Sequence, residues 1–301
     1  MSLLNKLRHV LAEPPPEYVF EFSEAGIAWA HHGKTETGGF EPLEPGVISV
    51  SPVRDNVLLP EKLQEVVLKL VPPSANKRRR PAAVILPDYC CRVAVLDFDT
   101  FPSDPAEQQS LVRFRVKKSV PFDLEAASVS FHEQPHPAGG KKRDIVVAVV
   151  SLEILARYEA PLRQAGLHPG MVNISALTML QMQQSASLEV IAKLTGRALS
   201  IAVTEGNHLR MFRCVELESV SPEEVAAVLF PTYAYVEDEW KRKPERLLLC
   251  GFGALGGESA RVLEAELNTR VEPLRGAHGA PGPYNAGLMG YLQGMGMEVA
   301  A

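Results

Sequence analysis

The stretch whose residue types could hold a ligand runs over residues 246–267, RLLLCGFGALGGESARVLEAEL. Residues 247–250 form an apolar run fit for a buried strand, and Gly251, Gly253, Gly256 and Gly257 follow at once. Val262, Leu263, Ala265 and Leu267 then recur at helical spacing. Strand, glycine loop and helix N-terminus together can bring free N–H groups to a phosphate, or let an adenine lie close against the backbone. The same residues also make a plain strand-to-helix turn, and both readings stand at this point. Other chemistry is sparse. His31-His32 lacks supporting cysteines or carboxylates at metal-ligand spacing, so no metal site is expected. Ser175 and His208 are a nucleophile and a base by type, but no G-x-S-x-G elbow presents the serine, and no catalytic residue is assigned. Lys117 and Lys118 stand just before Val120-Pro121-Phe122, a basic pair beside an apolar turn.

The elements that must position these residues alternate in type. Residues 18–30 predict two strands joined by a turn at 24–26, and 31–45 is polar and glycine-rich, a loop. Residues 46–51 predict a third short strand. The apolar spacing at 63, 66, 67 and 70 predicts a helix over 58–71. A loop over 72–81 carries Lys77, Arg78, Arg79 and Arg80, either a solvated stretch or a mark of an anionic partner. Strands are expected over 82–86 and 91–98, a helix over 104–119 with Pro105 in its first turn, and a strand over 127–133. Asp97 and Asp99 alternate with apolar neighbours and belong on a wet face. The run 144–150, DIVVAVV, predicts a central buried strand. A helix over 152–165 ends at Gly166, and a second apolar pattern starts at 172, with Asn173 able to cap a helix. Residues 199–203 and 209–213 predict a hairpin turning at Glu205-Gly206-Asn207, followed by a helix over 222–240 interrupted near Pro231. A glycine-rich helix over 284–296 closes the chain. A strand hairpin opens each half and strands alternate with helices afterwards, so the class is α/β with two related halves and a cleft between them.

Bulk properties narrow the function. At 301 residues the chain has room for about two domains. With 46% hydrophobic and 22% charged residues and a net charge of −5, it is an ordinary globular composition with no reason to bind nucleic acid. No run approaches the roughly 18–20 apolar residues of a membrane span. Residues 1–16 carry Leu3, Leu4, Leu7, Val10 and Leu11 on one helical face with Lys6, Arg8 and His9 between them. That amphipathic arm could touch a membrane or a partner, or pack on its own protein. Cys90, Cys91, Cys214 and Cys250 form no CxxC pair and read as small apolar residues in a reducing compartment, so a cytoplasmic location is expected.

Residues 115–132, RVKKSVPFDLEAASVSFH, resemble the characteristic "PF-x-L-E" segment of the PilM family, the actin-like proteins of type IV pilus assembly. Relatives of that family are the cytoplasmic domain of the type II secretion protein GspL and, further off, the cell-division protein FtsA. The neighbouring pieces keep the family's order: VILPD at 84–88 before it, then 144–150, the helix ending in Ala165-Gly166-Leu167, VNISALTML at 172–180, the glycine loop at 250–267 and the helix at 285–292. The resemblance spans about residues 18–292. It implies an actin-like (ribonuclease H-like) two-domain fold: domain I over 17–182 with an inserted subdomain at 101–140, domain II over 183–275, and the segment 276–301 returning to domain I.

It further implies an ATP site, with magnesium, in the cleft. Glu21, Ser23 and Gly26 fall on the first phosphate hairpin, Gly206 on the second, and Gly251 and Gly253 on the adenosine side. The sequence departs from the family there. Where the first hairpin reads D-I-G-S-S-S-V-K, this chain has Glu21-Phe22-Ser23-Glu24-Ala25-Gly26-Ile27-Ala28, and the aligned second hairpin at 201–208 has no aspartate. The implied role is therefore a cytoplasmic scaffold at the inner face of the inner membrane, with a degenerate nucleotide site. Its partner is a PilN-like inner-membrane protein whose short cytoplasmic tail sits in a groove walled by the inserted subdomain, near Lys117, Lys118, Pro121 and Phe122. Contact with lipid would then be mainly indirect, and self-association is compatible with the family. The alternatives are an active actin-like ATPase and a membrane-tethered filament protein of the FtsA type.

Overall fold

In the computed structural model, residues 15–32, 37–73, 78–135, 142–183 and 185–296 are described. The amphipathic arm, but for residues 15 and 16, and Lys77 of the basic loop lie outside them. The chain opens with β1 (Tyr18–Phe22), β2 (Gly26–His31) and β3 (Thr37–Pro42), then α1 (Pro60–Leu70) and β4 (Arg80–Leu86). A compact unit follows: β5 (Arg92–Phe98), α2 (Pro105–Val116), β6 (Ala127–Pro135) and β7 (Arg143–Ser151). Next come α3 (Leu152–Gln164), β8 (Leu167–Ile174) and the short α4 (Ser175–Met179). The second half holds β9 (Leu188–Thr195), β10 (Ala198–Glu205), β11 (His208–Glu216), α5 (Pro222–Trp240), β12 (Arg246–Cys250), α6 (Gly256–Leu267) and β13 (Arg270–Pro273). The helix α7 (Ala286–Gly294) ends the described chain.

Two five-stranded sheets carry the halves, ordered β3-β2-β1-β4-β8 and β11-β10-β9-β12-β13. The orders match strand for strand. β1 and β9 are the central strands, each antiparallel to the strand that follows it and parallel to the first strand after a helix. Phe20, Phe22, Leu63, Val67, Tyr158 and Leu162 pack between the first sheet and its helices, and Val190, Ile201, Leu229, Val236, Leu247 and Leu263 do the same in the second. Each such side chain contributes roughly 1.5–3 kcal/mol by leaving water. Met179, Ile191, Ala202, Leu248 and Ala286 form a separate cluster where the halves meet. α7 lies on the first sheet, with Leu288, Tyr291 and Leu292 over Val19, Ala83 and Ile85.

The inserted unit is a three-stranded antiparallel sheet, β5-β7-β6, running from Arg92 to Ser151 and thus past both ends of the 101–140 bracket. Its middle strand is the DIVVAVV run. The side chain of Asp104 caps α2 by accepting from Ala106 and Glu107 N–H at 3.0 and 2.9 Å, with Pro105 at the first helical position. Asp97 and Asp99 are exposed.

Several local expectations need correcting. Residues 37–42, read as loop, form β3: TGGFEP has little strand propensity of its own and is ordered by pairing with β2. Residues 46–51 form no strand, only a bridge between Ile48 and Val57. Asn173 caps nothing because it lies inside β8, and α4 begins at Ser175. Pro231 does not interrupt α5, which runs unbroken for 19 residues. β9 was not anticipated, and that omission displaced the second hairpin, as described below.

Candidate functional site

The matched sheets bring two tight turns face to face, 23–25 after β1 and 196–197 after β9. A cavity of about 560 Å³ opens between them, lined by Ser23, Glu24, Asp88, Thr195, Arg197 and Tyr284 among others. The hairpin expected to face it, around Gly206, is one strand too late. Gly206 turns β10 into β11 at the far end of the second sheet, where it borders a different cavity.

Glu21 is 4% exposed, and its carboxylate is fully engaged inside the first half. It accepts from Ser175 Oγ, from Gly287 N–H at 3.2 Å and from Leu288 N–H at 2.7 Å. A carboxylate at the N-terminal turn of α7 meets both free N–H groups and the positive end of the helix dipole. Burial nonetheless raises its proton affinity above the ordinary carboxylate value, against the opposing pull of Lys193, Ser175 and the two amides. Gly287 has no room for a side chain, since a Cβ would lie 2.7 Å from Ser175 Oγ and 2.8 Å from its Cα. Ser23 closes its own turn, donating to Gly26 O at 2.9 Å and accepting from Gly26 N–H at 3.1 Å. Gly26 begins β2 beneath the ring of Phe40, which stacks on Tyr284. Glu24 accepts from Val50 N–H at 2.7 Å and so holds the 46–51 segment.

Lys193 stands on β9 where Glu21 stands on β1, two residues before Thr195 and Ser23, which face Ala198 and Gly26 across the two turns. It is 3% exposed, and its Nζ donates to Asp88 Oδ2 at 2.8 Å and to Thr195 Oγ1 at 2.9 Å. Asp88 follows β4 in the first half and is 5% exposed. Its other oxygen accepts from Ala176 N–H at 2.6 Å, and Oδ2 also accepts from Ser200 Oγ at 2.8 Å. Desolvation alone would lower the Lys193 pKa, but Asp88 and Glu21 together raise it above the ordinary lysine value. The ion pair therefore joins the halves at the base of the cleft. A lysine inside a strand that also carries Glu189 reads as an interruption, so sequence reasoning missed it; the signal was that KLTG at 193–196 repeats the place of EFSE at 21–24.

Gly251 and Gly253 do not line the cavity. Gly251 has φ +78°, and a Cβ there would lie 2.2 Å from Leu194 O, so its glycine serves a close approach of β12's end to β9. The ring of Pro283 covers Gly253 at 3.8 Å from where a Cβ would sit. Beside the loop, burial pushes the Cys250 thiol up to about 12, which leaves it protonated and unreactive. Ser175 donates to Glu21, and His208 stands at the β10–β11 turn. Among the described residues no group of three His, Cys, Asp or Glu is placed to hold a metal.

On the inserted unit, Lys117, Lys118 and Pro121 are exposed. Phe122 is half-buried in the unit's own core, against the cluster of Val112, Val116, Leu124 and Val147, together with Val129 and Phe131. The cover those two strand residues need thus comes from α2 and Phe122 themselves. A second cavity, of about 540 Å³, opens on the opposite face of the same sheet. His132 and Val146, cross-strand partners, line one side; Leu177, Leu180 and Gln181 line another; Thr204 and residues 206–209 close it. Gln134 ties the wall in place, its amide donating to Leu209 O and accepting from Leu209 N–H, both at 3.0 Å.

No family model and no curated protein matches the chain. Solved structures do. The chain is similar to a PilM-PilN type IV pilus biogenesis complex, at 17% identity over 95% of this chain and 100% of that one, with a TM-score of 0.69. It is similar to a Bacteroides thetaiotaomicron protein of actin-like ATPase fold and unknown function, at 13% identity over 90% and 93%, with a TM-score of 0.55. The cytoplasmic domain of EpsL, an inner-membrane component of the type II secretion system of Vibrio cholerae, matches at 12% identity over 93% and 95%, with a TM-score of 0.54. The fold is the actin-like α/β fold that the resemblance implied. Among the described residues no helix is long and apolar enough to cross a membrane.

Proposed function

We propose that this chain is a docking scaffold of the PilM type, working at the inner face of the inner membrane in a pilus or type II secretion machine. It takes up the short cytoplasmic tail of a PilN-like membrane protein. The observation that carries this reading is the cavity behind the inserted sheet. It has the dimensions of a site for a few side chains, and its walls combine apolar Val146, Leu177 and Leu180 with polar His132 and Gln181. An extended segment entering there would bury its side chains against the leucines and leave its amides to the glutamine and histidine. The likeness over 95% of the chain to a PilM-PilN complex supports the same partner class. This moves the expected groove from the Phe122 face to the other face of the sheet. The test is titration of the tail peptide of the neighbouring inner-membrane protein against the full chain. His132→Trp and Leu180→Glu should each weaken binding tenfold or more, whereas Lys117→Gln with Lys118→Gln should leave it within twofold. Loss on the lysine substitutions, with no loss on the cavity ones, would return the groove to the helical face.

The cleft does not fit a magnesium-bound triphosphate. Such a ligand needs carboxylates free for the metal and donors aimed at the phosphates. Glu21, Glu24 and Asp88 each accept from protein groups, and among the described lining residues Arg197 is the single cation, against Glu24, Asp88 and Glu216. We read the protein as a scaffold without ATPase turnover, and steady phosphate release that is abolished by Lys193→Met would refute it.

A further inference from the structure

We infer that Lys193 is a resident cation that holds the interdomain cleft closed from within, so that closure needs no bound nucleotide. The inference rests on reading the cleft as lacking a magnesium site and is independent of the partner proposal.

Three features carry it. First, place: β1 and β9 are equivalent central strands, and the matching position, two residues before Ser23 and Thr195, holds an acid in one half and an ammonium in the other. Second, connectivity: Asp88 binds the first half through the Ala176 amide and the second through Lys193 and Ser200, so a chain of short bonds runs from α4 to β9 and β10. Third, seclusion: with Lys193 at 3% and Asp88 at 5% exposure, water neither screens nor replaces the contact. The halves are also held by the Met179–Ile191–Leu248 cluster and by the Gln134 clamp. A shear that separated Lys193 from Asp88 while those contacts persisted would strand two charges in a dry interface. The pair therefore specifies one closed arrangement and rejects neighbouring ones.

The experiment is amide hydrogen exchange, read by mass spectrometry on the purified full chain. Lys193→Met combined with Asp88→Asn removes both members of the buried pair, while Glu21 keeps its hydroxyl and two amide donors, so the variant should fold. Exchange at 23–26 and 195–198 should then quicken about tenfold or more, while β4 and β12 keep wild-type protection. Should that variant fail to fold, Ser200→Ala removes only one bond to Asp88 and should quicken the same turns about two- to threefold. Wild-type chain with millimolar magnesium and ATP should exchange as it does without them. Unchanged exchange in the folded variants overturns the inference and leaves the reading of the cleft intact. Protection of the two turns by magnesium-ATP in the wild type overturns both.

Discussion

Glu21-Phe22-Ser23 and Lys193-Leu194-Thr195 occupy the same place in two sheets of the same strand order, yet they are wired differently. In the first half, the charge turns back to its own domain and fastens the closing helix, while Ser23 is spent on the turn itself. In the second half, the charge crosses to Asp88 in the other domain, and Thr195 abandons its turn to support the lysine. One strand end is a local anchor and the other a bridge. Equivalent positions in a duplicated architecture thus need not keep equivalent jobs: the fold fixes where the side chains point, and the partners available there decide what they do.

The largest effect should come from breaking the bridge. Lys193→Met alone leaves Asp88 charged, buried and short of its main partner, at a cost of about 3–5 kcal/mol in denaturant unfolding; adding Asp88→Asn should recover much of that. The same pair sets a pH signature. The folded-state pKa of Lys193 is raised, so its stabilisation is fully present below the unfolded value near 10.5 and is lost as pH rises through the raised value. The wild type should therefore lose stability relative to the double variant as the solution turns strongly alkaline. An alkaline limb that is the same in both proteins would mean that the lysine does not support the bridge.

The unequal wiring also explains what the sequence made legible. The two strands' worth of alternation at 18–30, the period of α1, the Asp104–Pro105 start of α2 and the apolar β7 all follow from local rules, and with the order of family segments they were enough for the fold. β9 was hidden because Glu189 and Lys193 break its apolar run, and those charges are met by the nearby Gln183 and, above all, by Arg246 and Asp88, which are remote in sequence. With β9 unseen, the second turn slipped by one strand to Gly206. β3 was hidden for the opposite reason, having almost no side-chain signal and depending on its neighbour. The packing of Phe122 on the inserted unit's own core was not legible either, because a turn between helix and strand does not disclose which face of the strand it will cover.

The anchor offers a smaller, separable break. Glu21→Ala removes a carboxylate that takes two amides and a hydroxyl, charge-assisted bonds whose net loss should cost about 2–3 kcal/mol. Its distinctive readout is location. Limited proteolysis should open the 276–296 segment as α7 loosens, while exchange at the two cleft turns stays near wild type. Faster exchange at the turns with α7 still protected would show that Glu21 too belongs to the bridge, and the contrast between the halves would fail.

The smallest effects test the third residue of each trio. Ser23→Ala removes the two turn bonds to Gly26 and should cost about 1 kcal/mol, since a net intramolecular hydrogen bond is worth roughly that. Thr195→Val keeps shape and removes only the acceptor for Lys193 Nζ, at a cost of about 0.5–1 kcal/mol. The informative quantity is the coupling. Ser23 touches neither Lys193 nor Asp88, so its cost should be the same in the wild type and in the Lys193→Met, Asp88→Asn background. Thr195 acts through the lysine, so its cost should vanish there. A double-mutant cycle by urea unfolding resolves couplings of this size when the midpoints shift without a change in slope. If Thr195→Val costs the same in both backgrounds, its hydroxyl serves the turn as Ser23 does, and the second half is wired like the first at that residue.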